Sequence, residues 1–451
     1  MNKGKNKKKL TYFDCLGFCT GQIIGSGIFV LTGVVIGFTG HGTPYAFIVS
    51  AFYALVVMLP SAVLASTIPA SGAGFSYVKK LLGDKAGFMY LFMFVLTQLL
   101  IATFAKGFGS YFVSLFPTFN ENTIAIGVLI LCTAINLIGL KTSAKAQKTM
   151  VGLLIVSLLA FVIFGLPQVE WSNLAITTAN IMPNGFKEFI HGAILLSFAA
   201  GGARYVAENG EEIEEPGKTI PKAMITSTLG ACALYALLGI VASSVLPIEE
   251  VAFKNLTLVA QNIFPPWLYV FFVVGGAMFA LLTTLNGTLS WVTRGLQAAA
   301  KEGWLPDAFA KENKGGTPVL LLGFFFIVGI VPIITGLDLK TIADMGIGFD
   351  QLCEGILIVA AFKLPKKYPE AFKNAPFTFK ESTFYILLTT CIFLRFGSAY
   401  VELAELESKL YIAVAIAVYI IIAYMFTYIG YRNVTDKKLK SREIQLEENM
   451  R

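Results

Sequence analysis

The sequence predicts an all-α integral membrane protein with twelve transmembrane helices. Hydrophobic residues make up 56% of its 451 residues and charged residues only 14%, which is too apolar for a soluble globule. The apolar residues are gathered into segments close to the ~20 residues that cross ~30 Å of hydrocarbon. We place the spans at 14–36, 44–67, 86–116, 123–140, 147–167, 186–207, 223–246, 267–293, 317–335, 341–363, 382–400 and 410–430.

The distribution of basic residues predicts the orientation of the chain. With the N-terminus in the cytoplasm, most of the 35 Lys and Arg fall on the inner side, as cytoplasmic loops require. We therefore expect a multi-pass protein of the cell (cytoplasmic) membrane with both termini in the cytoplasm. The net charge of +7 then reflects topology, so no nucleic-acid partner is expected. The lysines predicted to lie on the outer side of the membrane are Lys187, Lys254, Lys340 and Lys409.

Cysteine and histidine usage indicates neither a disulfide framework nor a metal site. All six cysteines fall within predicted spans without paired ligand spacing, and we interpret them as packing residues. His41 and His191 are the only histidines and lie near the outer ends of spans, which leaves little for histidine-based catalysis. No nucleophile–base pair or phosphate loop is recognisable within the spans, so we expect a protein that is not an enzyme.

The first span carries three glycines within seven residues, Gly21, Gly25 and Gly27. They favour unwinding at Gly25 to Gly27, which would release backbone groups at bilayer depth. Each unsatisfied group in hydrocarbon costs several kcal/mol, so such a break requires burial in protein or a bound ligand or ion. The alternative is a glycine face that lets helices approach closely. The spacing alone is compatible with both.

A second glycine-rich stretch, 198–203, lies in the middle of the sixth span. Two interrupted segments at matching positions of two halves are typical of the central site of a secondary transporter with inverted repeats. The pair therefore favours breaks near mid-membrane in helices 1 and 6 over simple glycine packing.

Three patterns resemble those of the amino acid–polyamine–organocation superfamily, the amino acid permeases with the LeuT-type fold. The first is Ile24-Gly25-Ser26-Gly27-Ile28-Phe29, and the second runs from Phe198 to Pro221 and includes a Glu-Glu…Pro-x-Lys-x-Ile-Pro tail. The third comes after helix 8, at 300–306 and 316–318. Their order and spacing match the family over most of the chain.

The resemblance implies a LeuT-type 5+5 inverted repeat with helices 11 and 12 as additions. The implied organisation is a basic cytoplasmic tail at 1–13, a first repeat at 14–167, a second repeat at 186–363, helices 11 and 12 at 382–430, and a second cytoplasmic tail at 431–451.

The resemblance also implies a binding mode. The amides near Gly25 meet the positive end of a half-helix and suit an α-carboxylate, while the carbonyls near Phe198 meet a negative end and suit an ammonium. By family analogy Phe198 also covers the site as an aromatic gate, and Thr288 contacts the substrate side chain. Small residues at 199–203 leave room for a bulky neutral or a cationic amino acid. The predicted substrate-binding residues are Ile23, Ile24, Gly25, Ser26, Gly27, Phe198, Ala199, Ala200, Gly201 and Thr288.

Arg204 departs from the family pattern, because many relatives carry a carboxylate in helix 6. An arginine at this depth costs at least ~2.5–3.5 kcal/mol unless it is paired or hydrated, so it should face inward with a partner. Helix 10 offers Asp344, Asp350 and Glu354, of which the last two are one turn apart on one face. Such a charge pair would gate transport, carry protons or meet a charged substrate; the alternative is a structural pair.

The coupling ion is left open between sodium and protons. Several proton-dependent or facilitative relatives carry a lysine in helix 5 in place of a sodium ion, and our alignment places Leu154 there. Thr283 and Thr284 resemble a hydroxyl pair that helps to bind sodium in other carriers of this fold, and the carbonyls of Ile23 and Gly25 would add oxygen ligands. Proton coupling through the helix 10 acids and obligate exchange are the alternatives, and no other cofactor is expected.

The expected function is secondary active transport of amino acids by alternating access, coupled to sodium or protons. One alternative is exchange of an amino acid for an amine or polyamine, whose second cationic group Asp350 and Glu354 would bind. A more remote alternative is a nutrient receptor of the same fold that binds without transport. The expected partners are the amino acid or amine and the lipid bilayer, and the oligomeric state is not indicated.

Overall fold

The computed structural model describes residues 9–70, 73–138, 144–208, 210–404 and 417–435, and these residues are all-helical apart from one bridge between Leu10 and Ile213. The α-helices are α1 (Tyr12–Ile23), α2 (Ser26–Thr39), α3 (Thr43–Thr67), α4 (Ala73–Leu82), α5 (Asp84–Thr97), α6 (Leu100–Leu115), α7 (Glu121–Ile138), α8 (Ala144–Gly165), α9 (Thr178–Ile181), α10 (Phe186–Ala200), α11 (Pro216–Ser244), α12 (Ile248–Val251), α13 (Thr257–Ile263), α14 (Pro266–Phe271), α15 (Phe279–Trp291), α16 (Arg294–Lys301), α17 (Val319–Ile334), α18 (Leu339–Ala361), α19 (Leu364–Lys367), α20 (Pro369–Lys373) and α21 (Glu381–Ala404), followed by a helix at 417–435.

Nine helical stretches of the described residues are long and apolar enough to cross a membrane. One of them, Tyr12–Thr67, is 56 residues long and contains the first two predicted spans. Val319–Ile334 is apolar but shorter, and the predicted span 410–430 lies partly outside the described residues. The all-α, multi-pass membrane architecture is confirmed at this level, whereas the count of twelve spans and the inverted repeat stay predictions.

The first span is interrupted between α1 and α2. The amide of Ile24 donates to the Thr20 carbonyl at 2.7 Å and closes α1, and α2 begins at Ser26. The interruption consists of Ile24 and Gly25, so it begins one residue earlier than the predicted stretch Gly25 to Gly27. Ser26 and Gly27 instead form the first turn of α2.

The sixth span does not break but changes its helix type. The α-helix α10 ends at Ala200, and residues Gly201–Glu208 continue it as a 3₁₀ helix. The amide of Gly201 donates to the carbonyl of Phe198, three residues back. This corrects the prediction of an unwound segment. The chain remains helical beyond Ala200 but is wound more tightly, since a 3₁₀ helix has three residues per turn.

The third span is long and is interrupted by a turn. Gln98 and Leu99 form a turn between α5 and α6 within the apolar stretch Asp84–Leu115. Further along, the ammonium of Lys106 is buried and donates to the carbonyl of Leu337 at 2.9 Å, immediately before α18. The lysine thus faces the protein interior, and a backbone acceptor replaces the water it would otherwise need.

Candidate transport site

The interruption in the first span is held by a tyrosine from α11. Tyr235, which is fully buried, donates its hydroxyl to the carbonyl of Ile23 at 2.7 Å. The amide of Gly25 donates to the same carbonyl at 2.9 Å. Both acceptor positions of this carbonyl are therefore used, and the group that unwinding releases is satisfied inside the protein.

The first turn of α2 presents backbone amides at the interruption. Ser26 and Gly27 begin this helix, and amides in a first helical turn have no acceptor within the helix. The helix dipole places a partial positive charge at the same end. Together these features make the interruption suitable for an anion such as a carboxylate.

Glycines near the interruption also serve close packing. A Cβ atom at Gly27 would lie 2.8 Å from the Cβ of Ala199, and one at Gly202 would collide with the Gln22 carbonyl. The first and sixth spans thus pack closely at these positions, because a glycine leaves no side chain between their backbones. The two interpretations of the glycines, a break and a packing face, therefore both apply, at different residues.

The small residues of the sixth span face several directions. Ala199 packs on Gly27, while Ala200 packs with Ala54 of α3 and Cys232 of α11. The side chains of these two alanines act in helix packing, and their predicted contact with substrate stays a prediction. Phe198 instead lines a cavity together with Gly201.

A small cavity of about 10 Å³, enough for roughly one water molecule, lies between four helical segments. It brings residues predicted to bind substrate next to residues predicted to gate, whereas the described residues of the first span do not line it. Its lining comprises Tyr53, Ala54, Val57 and Met58 of α3, Ser197, Phe198, Gly201 and Arg204 of the sixth span, Asp350 and Gln351 of α18, and Arg395 of α21.

Arg204 forms a buried charge cluster with two acids of α18. Its Nη2 atom lies 2.6 Å from Oδ1 of Asp350, and its Nε atom lies 3.7 Å from Oε1 of Glu354. The guanidinium also donates to the Tyr205 hydroxyl at 3.1 Å. The three charged side chains are each about nine-tenths buried, so their mutual attraction is only weakly screened by water. Asp344, the third predicted partner, lies elsewhere, beside His191.

Arg395 is a cavity residue to which the sequence assigned no role. It is 5% exposed and donates through Nη1 to the side-chain oxygen of Gln351, and its guanidinium lies 5.9 Å from the ring of Tyr53. Among the described residues no carboxylate lies within ion-pair distance of it. Its position inside an apolar span was the signal available in the sequence, but nothing there indicated which helices it would face.

The predicted sodium ligands are only partly brought together. The Oγ1 atom of Thr284 lies 2.9 Å from the position of a Cβ at Gly25, and its proton is donated to the Ala280 carbonyl. Thr283 donates to the carbonyls of Phe279 and Ala280. The hydroxyl lone pairs remain available, but the Ile23 carbonyl would have to lose one of its two donors to bind a cation.

The remaining predicted positions are buried within helices. Thr288 lies one turn beyond Thr284 on α15 and is 7% exposed. Leu154 is buried in α8, in agreement with an apolar position.

Comparison with known proteins identifies the family. The family model described as amino acid permease matches residues 10–431. The branched-chain amino acid permease of Bacillus subtilis is 28% identical over 393 residues, which cover 81% of this chain and 82% of that protein. The methylthioribose transporter of the same organism is 27% identical over 387 residues, which cover 80% and 82%. The human large neutral amino acids transporter small subunit 2 is 29% identical over 384 residues, which cover 81% and 71%.

These proteins are transporters and not enzymes, and the family match extends over nearly the whole chain. Together with the buried backbone interruption in an apolar, multi-pass helical fold, the match shows that this chain belongs to the amino acid permease family.

Proposed function

We propose that the protein is a secondary active transporter that moves amino acids across the cytoplasmic membrane by alternating access. The observation that carries the proposal is the interruption at Ile24 and Gly25, which places the amide end of α2 inside an apolar span. A zwitterion is the ligand class that fits there. Its carboxylate would be bound by the first-turn amides of α2, and its ammonium by carbonyls near the end of α10, each of which has a second lone pair beyond the one used within the helix.

For the substrate we propose a bulky neutral amino acid. Two relatives support it by name, since one is a branched-chain and another a large neutral amino acid transporter. The charge cluster supports it as well: Arg204 already contacts Asp350 at 2.6 Å, so a cationic substrate would have to displace a buried guanidinium. Phe198 would cover the substrate side chain from the cavity.

We propose ion coupling with two candidate routes. Protons would use Asp350 and Glu354, for which Arg204 is the ion-pair partner among the described residues, so that this cluster of three leaves one formal negative charge. Sodium would use Thr284 and the backbone near Gly25, and would require Tyr235 to release the Ile23 carbonyl. Only the sodium route predicts that replacing Thr284 by valine abolishes the ion dependence.

Uptake by liposomes that contain the purified protein tests the proposal. Labelled leucine should accumulate above the external concentration under either an inward sodium gradient or an inward proton gradient. Uptake that occurs only when the lumen holds amino acid or amine would indicate the exchanger. Binding without accumulation would indicate the receptor. Absence of binding by every amino acid in a panel would contradict the proposal itself.

A pair of glycine variants on the first span provides the matched control. Gly25→Ala places a methyl group 2.9 Å from Oγ1 of Thr284 and removes glycine from the interruption. Gly17→Ala meets no atom of the described residues within 4 Å. We expect the first variant to lose amino acid binding and the second to retain it. Equal binding by both variants would remove the support that the interruption gives to the proposal.

The exchanger is separated from the amino acid transporter by the acids of α18. If polyamines or diamines are substrates, Asp350→Asn and Glu354→Gln should abolish their uptake while leaving uptake of neutral amino acids. Under our proposal, amines do not compete with leucine in the unmodified protein.

A further inference from the structure

A second group of buried polar residues lies away from the cavity, where three helices meet at one end. His191 is the sixth residue of α10, Asp344 is the sixth residue of α18, and Glu402 is third from the end of α21. Their exposures are 1%, 1% and 0%. The predicted orientation places this end on the outer side of the membrane. The sequence indicates only an interfacial histidine, but the fold buries it with two carboxylates.

The donor atoms of this cluster have the spacing of a metal site. Nε2 of His191 lies 3.5 Å from Oδ1 of Asp344 and 3.3 Å from Oε2 of Glu402, and the ligand atoms of the three residues all lie within 4.8 Å of one another. In a tetrahedral zinc site with bonds of ~2.0–2.1 Å, neighbouring ligand atoms are ~3.3–3.4 Å apart. The two measured contacts are within 0.2 Å of that spacing.

Within the part of the chain that the structure describes, the same atoms lack hydrogen-bond partners. Neither contact of Nε2 has hydrogen-bond geometry, and both ring nitrogens of His191 are unpaired. Oδ1 of Asp344 and both carboxylate oxygens of Glu402 likewise have no hydrogen-bond partner among the described residues, although His191 lies within ion-pair distance. Burial of such groups without partners is costly, particularly for charged carboxylates. A cation among them would satisfy a nitrogen and two carboxylates at once.

The charges around the cluster also match a divalent cation. Oε2 of Glu188 lies 3.8 Å from Nδ1 of His191, on the side of the ring away from the other acids, and Nζ of Lys340 lies 3.8 Å from Oδ2 of Asp344. With a neutral imidazole, the three carboxylates and one ammonium leave a formal charge of −2. Glu188 stands where metal-bound histidines commonly have a carboxylate that orients the ring.

We propose that His191, Asp344 and Glu402 form a binding site for a divalent transition metal, with Zn²⁺ as the best match. One imidazole and two carboxylates suit zinc, whereas calcium and magnesium prefer oxygen ligands alone. The bound ion joins the ends of α10, α18 and α21. Since α10 carries Phe198 and leads into the segment that carries Arg204, the ion restrains the helices around the cavity and slows their rearrangement.

Thermal unfolding of the full-length, chelator-treated protein tests the site, with ZnCl₂ as the probe. Zinc should raise the unfolding midpoint of the unmodified protein, because a ligand that binds only the folded state stabilises it. His191→Gln should weaken zinc binding at least tenfold. His41→Gln is the matched control, because it removes the only other histidine, and it should respond to zinc as the unmodified protein does. Equal zinc responses in both variants, or a loss only in His41→Gln, would overturn the proposal.

A spectroscopic measurement covers the case in which His191→Gln does not fold. Cobalt(II) bound to the unmodified protein should give the intense visible absorption of a tetrahedral centre, which zinc should displace at a one-to-one ratio. Glu402→Gln should diminish this absorption, and magnesium should not compete. A weak octahedral spectrum, or one that Glu402→Gln leaves unchanged, would contradict the site. These readouts do not depend on transport, so their failure leaves the proposed amino acid transport untouched.

Discussion

Removal of the Tyr235 hydroxyl should show whether the interruption between α1 and α2 takes part in transport. Tyr235→Phe deletes the group that donates to the Ile23 carbonyl at 2.7 Å and leaves the ring in place. The carbonyl keeps its second donor, the amide of Gly25 at 2.9 Å. The cost should therefore be that of one ordinary hydrogen bond, ~0.5–1.5 kcal/mol, and not that of an orphaned buried group.

The free energy of this hydrogen bond also sets the expected effect of Tyr235→Phe on transport. If the Tyr235 hydroxyl reaches the Ile23 carbonyl in only one of the alternating states, its removal shifts their ratio by about 1 kcal/mol, which is about fivefold. We expect a change of that size in the uptake rate or in the half-saturating substrate concentration. Both are measured in liposomes per mole of folded protein, beside the midpoint of thermal unfolding.

Tyr111 of α6 offers a matched control, because it contacts the second half of the first span. Its buried hydroxyl donates to the Phe29 carbonyl of α2 at 2.9 Å and accepts the amide of Leu256 at 3.2 Å. Tyr111→Phe leaves that amide unpaired, so it should cost ~1–3 kcal/mol, more than Tyr235→Phe. It lies beyond the interruption, however, and should leave transport near that of the unmodified protein. The reasoning is refuted if Tyr111→Phe impairs transport as much as Tyr235→Phe does.

Three further changes have outcomes that the structure sets. Arg204→Gln leaves two buried acids without a cation and should lower the free energy of unfolding by ~3–5 kcal/mol. Adding Asp350→Asn should restore more than 1 kcal/mol of this loss. Additive losses in denaturant titrations would contradict an energetic interaction between Arg204 and Asp350. Burial raises the pKa of Asp338, but hydrogen bonds from the first turn of α18 lower it by more, so its net pKa is below the usual value. The stabilisation by Asp338 is therefore present above the unfolded-state pKa and lost as the pH falls through the folded-state pKa. Asp338→Ala should lower the free energy of unfolding by ~1 kcal/mol at neutral pH, and the two proteins should become equally stable in acid. A stability difference that does not change with pH would be inconsistent with this cap. Gly202→Ala should lower the unfolding midpoint because its methyl group meets the Gln22 carbonyl of α1. Gly201→Ala meets no described atom within 4 Å and should leave the midpoint unchanged; equal midpoints for the two variants would argue against backbone contact at Gly202.

Features that arise from a local energetic cost were the most predictable from the sequence. An arginine inside an apolar span needs a charged or hydrogen-bonding partner in any fold, and the spacing of Asp350 and Glu354 offered Arg204 two acids on one face. Unwinding near Gly25 was predictable for a similar reason. Its register was not, because the Ile24 amide still reaches Thr20 and only tertiary contacts decide where the last α-helical bond forms.

Features that depend on which helices meet were not predictable from spacing. Glycines at 201 and 202 are compatible with a break or with a tighter coil, and contact with the first span decides between them. The position of His191 near the end of a span indicates an interfacial histidine and nothing more. Its neighbours Asp344 and Glu402 are more than 150 residues away in the sequence, and no local pattern brings the three together.

Competition between an amino acid and its derivatives tests carboxylate binding at the first turn of α2 most directly. The amino acid with the highest uptake, its amide and its decarboxylated amine differ only at the group that those amides would bind. Hydrogen bonds to a charged group are worth ~1.5–3 kcal/mol, so the amide and the amine should displace the labelled amino acid at least tenfold less well than the acid itself. Equal displacement by all three would contradict a carboxylate site at the interruption of the first span.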